Sequence, residues 1–150
     1  MPQYDLGPVD QGQLINGITL VFKRSASQQA ALDQLLAEQQ DPTTPNYHNW
    51  ITPEEFSDRF GLSANDLAKV TEWLRSQGFS VVYEARSRTY VTSSGTAAQV
   101  QAAFHTELHR YQVDGEMHFA NSSDPSIPTA LEPVVLLAPP VRPPGCSICC

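Results

Sequence analysis

The order of strand-like and helix-like segments constrains the fold of this chain more than any other feature of its sequence. Apolar residues alternate along residues 14–22, as in a strand with one buried face. Three helical segments, two strands, a helix and a hairpin follow. Without the first helix pair and the last hairpin strand, the order is β-α-β-β-α-β, the ferredoxin-like split βαβ arrangement. The sequence therefore predicts an α+β fold: an antiparallel sheet with helices packed on one face, an extra N-terminal helix and a C-terminal hairpin strand.

Capping signals mark where the helices begin. Ser27 is the predicted cap of a helix that runs to about Gln40. The other three helices begin at Thr52, Ser63 and Thr96, each of which is followed three residues later by an acidic residue or a glutamine. This capping-box pattern satisfies backbone N–H groups that the first helical turn leaves without partners.

The second half of the chain predicts two hairpins. Residues 79–85 and 89–94 read as strands joined by a turn at Ser87 and Arg88. Residues 107–113 and 116–121 flank Asp114 and Gly115, a two-residue turn of the kind that favours a tight hairpin. The final strand is the one added to the split βαβ order.

The predicted domain covers residues 14–135, between a flexible N-terminus (1–13) and a disordered Pro/Cys tail (136–150). The cysteines, Cys146, Cys149 and Cys150, all lie in that tail, so no disulfide staples the body. Their Cys-x-x-Cys spacing lacks the second pair of ligands that a zinc site needs, and the histidines show no metal-binding spacing. No metal and no cofactor are therefore predicted.

The charge balance argues against several classes of partner. The chain has 16 Asp and Glu against 9 Lys and Arg, a net charge of -7. Because phosphate recognition needs the opposite balance, no nucleic-acid partner is predicted. No run approaches the length of about 18 apolar residues that a membrane span requires, so no membrane partner is predicted either. The first residues lack the basic and apolar regions of a secretory signal.

The residues that could carry catalysis are better interpreted as structural. Ser93 and Ser94 end a strand, but no Gly-x-Ser-x-Gly elbow surrounds them. Glu54 and Glu55 form a carboxylate pair, yet they fall in a first helical turn, where acidic residues serve the cap and the helix dipole. No catalytic residue is predicted.

Four blocks of sequence, in colinear order, carry a more specific signal. The strongest is Tyr-His-Asn-Trp-Ile-Thr-Pro-Glu-Glu-Phe at residues 47–56; the others lie within 60–79, 94–104 and 107–128. Together they resemble the activation pro-domain, of the pro-kumamolisin type, of sedolisin serine-carboxyl peptidases. The resemblance covers residues 14–135. Its first block predicts a structural motif with packed aromatic residues, made of Tyr47, His48, Trp50, Thr52, Pro53, Glu55 and Phe56.

The resemblance implies a role without catalysis. Family members are secreted as precursors, in which the pro-domain assists folding, covers the active site and is removed at acidic pH. The implied partner is a subtilisin-like catalytic domain with a Ser-Glu-Asp triad and a calcium site, and none of those residues can be carried over to this chain. The implied localisation is secreted, as part of a precursor. Residues 136–150 do not resemble the family's linker to the catalytic domain.

Protonation offers a physical mechanism for release. Full protonation would change the formal charge from -7 to +13, the sum of 9 Lys and Arg with 4 His. We therefore expect binding to weaken between about pH 6 and pH 4, where carboxylates lose charge and histidines gain it. The predicted partner interface lies on the last hairpin and consists of His109, Arg110, Tyr111, His118 and Phe119.

Two other functions remain open at this point. The chain could be a free-standing peptidase inhibitor or interaction domain that acts in trans. A catalytic reading frame directly downstream of the gene would favour a pro-domain over such an inhibitor. A small metal-binding or thiol protein is the third interpretation, and it depends on the tail cysteines alone.

Overall fold

The computed structural model describes residues 4–136, which form two antiparallel sheets and four helices. The α+β class predicted from the sequence is confirmed. In chain order the elements are β1 (Asp5–Pro8), β2 (Leu14–Phe22), α1 (Ala26–Gln40), α2 (Pro53–Phe60), α3 (Ala64–Ser76), β3 (Ser80–Glu84), β4 (Tyr90–Thr96), α4 (Ala97–Phe104), β5 (Leu108–Val113), β6 (Glu116–Asn121) and β7 (Val135–Leu136).

The larger sheet has the strand order β3-β4-β2-β7. Its inner face buries Leu20 of β2 opposite Val91 of β4, and both side chains belong to the main apolar core. Helices α3 and α4 add Leu74 and Phe104 to the same core, which also receives Phe79 from the loop before β3. Burial of this single continuous core is the main term that stabilises the sheet and the two helices together.

One strand takes a different place from the one predicted. In a ferredoxin-like sheet the last strand of the β-α-β-β-α-β order would lie beside β2. Here β7 occupies that position: Val135 lies opposite Phe22 and is 1% exposed. The β5 strand instead joins a second sheet of order β1-β5-β6. The expectation of one sheet is therefore replaced by two, because a short C-terminal apolar strand fills the edge of the first.

The prediction of a flexible N-terminus over residues 1–13 is wrong for the part that the structure describes. Asp5 of β1 lies opposite Tyr111 of β5, and the Val9 N–H donates to the Leu108 carbonyl at 2.8 Å. Val9 is buried in the main core. The segment is too short for a periodic signal, so its order comes from tertiary contacts. The predicted disordered tail lies outside the described residues from 137 onward.

The helix caps follow the sequence with two corrections. The α1 cap is Ser25, two residues before the predicted Ser27, and Gln28 completes its capping box. Thr52 and Thr96 form the predicted boxes at α2 and α4. At α3, Ser63 accepts the Asp66 N–H, but the predicted box lacks the return bond from the Asp66 side chain. Ser27 lies inside the first turn of α1, because Ser25 already has the extended backbone that a cap requires.

Helices α1 and α2 have a small core of their own. Leu32 and Leu35 of α1 pack with Phe60 of α2, and Ile51 and Phe56 lie against them. Ion pairs from Arg86 to Glu54 and from Arg88 to Asp58 connect α2 to the turn between β3 and β4. The helix pair thus has a core separate from the main one and is connected to the larger sheet by these ion pairs.

Candidate partner-binding surfaces

The segment 47–56 divides into a helix start and an exposed aromatic cluster. In the helix start, the Thr52 N–H donates to Glu55 Oε2 at 2.8 Å, and the Glu55 N–H donates to Thr52 Oγ1 at 3.2 Å. Pro53 occupies the first turn, as its fixed φ favours. The Phe56 and Phe60 ring centroids lie 5.3 Å apart in a tilted arrangement within the small core. In the structure these four residues therefore make contacts that begin α2 and hold it in place.

Tyr47, His48 and Trp50 of the motif pack on one another rather than into a core. The Tyr47 and His48 rings stack at 3.9 Å, and Trp50 follows at 5.9 Å from His48. Trp50 is nevertheless 69% exposed. Gln39, which is buried, fixes the loop by donating to the Asn49 carbonyl at 2.8 Å.

The five predicted interface residues of the hairpin lie on two different faces. Arg110 is directly opposite Phe119, whereas Tyr111 is opposite His118. Since neighbours along a strand point to opposite faces, His109 shares the face of Tyr111 and His118. Arg110 and Phe119 are exposed, and the other three are half-buried. Of the five residues, the pair of Arg110 and Phe119 is therefore the more exposed.

His109 is committed to contacts within the domain. Its Nδ1 lies 2.7 Å from Asp5 Oδ2, across the β1–β5 pairing, and Glu107 Oε2 lies 3.5 Å from its buried Nε2. The hydrogen bond to Asp5 raises the pKa of His109 above its usual range. The Gly7 N–H and then His109 hold the pKa of Asp5 below its ordinary value.

The outer face of the larger sheet is a second candidate surface. The cross-strand register places Thr19 opposite Thr92 with their hydroxyls 3.1 Å apart, and Val21 opposite Tyr90. Tyr83 belongs to the same face, since its ring lies 5.9 Å from that of Tyr90. Tyr83 is 49% exposed and Tyr90 36%. This surface is called the open face below; its members are Thr19, Val21, Tyr83, Tyr90, Thr92 and Leu136.

The serines and carboxylates considered for catalysis have structural partners. Ser93 is fully buried in β4 and donates to the Ile18 carbonyl at 3.4 Å. Glu54 accepts from Arg86 Nε at 3.0 Å, and this bond lowers the pKa of Glu54. Both side chains therefore have partners within the domain.

Sequence patterns did not reveal a Ser–His pair that the fold brings together. Ser126 Oγ lies 3.2 Å from His105 Nδ1, and the Ser126 N–H donates to the Phe104 carbonyl at 2.7 Å. His105 has the left-handed backbone of a helix C-cap after α4. Both bonds fasten the end of this helix, a role that explains the pair without nucleophilic chemistry.

The described part of the chain contains neither a metal-binding cluster nor a helix that could span a membrane. Among residues 4–136, no three His, Cys, Asp or Glu side chains lie close enough together to hold a metal ion. In the same part of the chain, no helix is both long and apolar enough to cross a membrane. The tail cysteines lie outside the described residues.

Comparison with known proteins identifies related sequences. The family model described as "Pro-kumamolisin, activation domain" matches residues 3–142. Xanthomonalisin from Xanthomonas sp. (strain T-22) is 29% identical over 101 residues, which are 67% of this chain and 12% of that protein. Sedolisin from Pseudomonas sp. (strain 101) is 27% identical over 116 residues, 77% of this chain and 20% of that protein. The chain therefore spans a small fraction of each relative's length.

Proposed function

The chain belongs to the pro-kumamolisin activation domain family, and on that basis we propose that it inhibits and helps to fold the catalytic domain of a secreted sedolisin-type serine-carboxyl endopeptidase, and is released at acidic pH. The family match over residues 3–142 is the observation that carries the proposal. The proposed partner is a subtilisin-like catalytic domain, and the role of the chain is to bind it.

The open face supports a binding role. Its aromatic side chains, Tyr83 and Tyr90, present apolar ring surface and hydroxyl groups on a rigid sheet, a combination typical of protein interfaces. The opposite face of the same sheet is already filled by the main core. We propose that the catalytic domain docks on the open face.

The hairpin supplies a smaller proposed contact. Arg110 and Phe119 face outward together, and Met117 beside them is also exposed. Arginine and aromatic residues are enriched where binding energy is concentrated. We propose that this pair contacts the catalytic domain, whereas His109 acts inside the pro-domain.

Acid release is supported by the charge of the chain. The net charge of -7 reflects an excess of Asp and Glu, whose carboxylates can pair with cations of a partner at neutral pH. Internal bonds keep four of them ionised to lower pH, because the pKa values of Asp5, Glu38, Asp41 and Glu54 are lowered. Release would therefore depend on carboxylates other than these four.

Inhibition of a purified sedolisin-type catalytic domain by the full 150-residue chain tests this function. We expect inhibition near neutral pH and a steep loss of affinity between about pH 6 and pH 4. A flat profile contradicts acid release, and no inhibition at any pH contradicts the inhibitory role.

A pair of variants tests the docking face. Tyr83→Asp places a charge on the open face, and Leu36→Asp places one at a similarly exposed position on α1, with exposures of 49% and 47%. We expect the first to weaken inhibition at least about tenfold and the second to leave it nearly unchanged, because only the first charge would be desolvated by docking. Equal effects would argue against docking on this face.

A further inference from the structure

A cleft opens where β2 ends and the chain turns into α1. It has a volume of about 430 Å³ and is lined by Val21, Phe22, Lys23, Arg24, Gln29, Thr89 and Leu136. Val21 and Leu136 lie opposite each other on β2 and β7 and form an apolar floor. Because both residues also belong to the open face, the cleft continues the surface on which the catalytic domain is proposed to dock.

Two cations border this cleft, and their bonds go to neutral oxygens. Lys23 Nζ donates to the Glu132 backbone carbonyl at 2.8 Å. Arg24 donates through Nε to the Phe60 carbonyl at 3.3 Å and through Nη1 to Gln29 Oε1 at 2.9 Å. Among residues 4–136, no carboxylate lies within ion-pairing distance of either cation, although Arg86, Arg88 and Lys69 each have one.

These neutral contacts position the two charges without neutralising them. The Arg24 guanidinium donates to a backbone carbonyl and to the side-chain amide of Gln29. The Nε2 of Gln29 in turn donates to Asp33 Oδ1 at 2.8 Å. Two adjacent cations at a concave site of an acidic chain form a local positive potential, which selects an anionic group. The apolar floor adds a place for methylene groups next to that anion.

We propose that this cleft receives a glutamate side chain of the catalytic domain, with its methylene groups on Val21 and Leu136 and its carboxylate between Lys23 and Arg24. The proposal rests on the proposed function. Charge complementarity identifies the occupant, because the cleft combines an apolar floor with two unneutralised cations. The contact would fix how the two domains are aligned, and it would also add to their affinity.

Charge reversal at Lys23 tests the proposal in the full chain. Lys23→Glu is compared with Arg75→Glu, which makes the same change in net charge at an exposed position on α3. The inhibition constant against a purified sedolisin-type catalytic domain is measured near neutral pH at several salt concentrations. We expect Lys23→Glu to weaken inhibition at least about tenfold and to reduce its salt dependence, and Arg75→Glu to change it less than about threefold. Lys23→Met, which keeps the apolar stem, should give an intermediate loss.

The outcomes separate this proposal from the proposed function. If wild type inhibits and the two reversals weaken inhibition equally, the effect is one of net charge and the cleft proposal is overturned while the function stands. If wild type does not inhibit, both fail. Lys23 is exposed, so folding should persist; circular dichroism and the thermal midpoint of each variant confirm that a loss of inhibition is not a loss of fold.

Discussion

The two sheets of this domain are held together by different physical interactions. The larger sheet lies on a continuous apolar core that includes Leu74 and Val91, both fully buried. Apart from Leu108, which reaches the main core, the smaller sheet has exposed side chains on the face of Arg110. Its other face carries the pair of His109 and Asp5, with Nδ1 and Oδ2 at 2.7 Å. Apolar burial does not depend on protonation, whereas an ion pair between titratable groups does. The sheets should therefore respond to different perturbations.

A cavity in the main core tests whether the two sheets still unfold as one. Leu74→Ala should lower the free energy of unfolding by about 2–5 kcal/mol, because it removes a fully buried side chain that α3 places against the larger sheet. Val9, directly after β1, and Leu108, the first residue of β5, share this core. We expect hydrogen exchange to accelerate in both sheets in urea.

The control for this cavity is Leu36→Ala, at a half-exposed position of α1. It should change the free energy of unfolding by less than about 1 kcal/mol, since little apolar surface returns to water. If Leu74→Ala accelerates exchange in the larger sheet alone, the two sheets are separate cooperative units.

A smaller effect is expected from crowding the inner face of the larger sheet. A Cβ added at Gly95 in β4 would meet the Phe79 ring, with Cε1 at 2.7 Å, and Gln99 Oε1 at 2.9 Å. Gly95→Ala should therefore cost about 1–3 kcal/mol of unfolding free energy in a chemical denaturation experiment. At Gly12 the added Cβ would meet only the exposed Asp10 carboxylate, at 3.2 Å, so Gly12→Ala is the control and should be nearly neutral. Equal losses would contradict close packing at Gly95.

The larger sheet was the more predictable of the two, for a reason visible in its residues. Alternation in residues 14–22 and the capping pattern at Thr96 are local signals. The structure has the strand with its predicted bounds and the helix with its predicted cap. The β1 strand has only four residues, and its partner lies about a hundred positions away, so no local pattern could reveal the Asp5–His109 contact.

The candidate surfaces likewise combine features that local sequence predicts with features that only tertiary contacts determine. The hairpin turn at Asp114 and Gly115 was predicted, and both residues have positive φ as such a turn requires. Its register, which separates Arg110 and Phe119 from His109, follows from pairing across the turn. The cleft beside Lys23 could not be predicted, since it depends on β7 docking against β2 and on Arg24 reaching the carbonyl of Phe60.

The smallest expected effect is local and depends on pH. The pKa of His109 is raised above its ordinary value of 6.5, chiefly by its hydrogen bond to Asp5, so its stabilising contribution is complete below that value and is lost as the pH rises through the raised pKa. The pKa of Asp5 is lowered below 3.8, so its contribution is present above that value and is lost as the pH falls through the lowered pKa. The attachment of β1 should thus be strongest in mildly acidic solution.

Amide exchange of Val9, whose N–H binds the Leu108 carbonyl, measures this attachment. After correction for intrinsic rates, wild-type protection should fall as the pH rises above neutrality, and His109→Gln should remove that dependence while leaving global unfolding nearly unchanged.

The groups that face His109 are Asp5, Glu107, Tyr111 and the neighbouring His118 of β6. His118→Gln is the control, because its nearest carboxylate, Glu116 at 3.9 Å, lies on its own strand. An unchanged profile in His109→Gln would assign the pH dependence elsewhere. Since this contact is strongest in mild acid, release from a partner in that range need not involve opening of the smaller sheet.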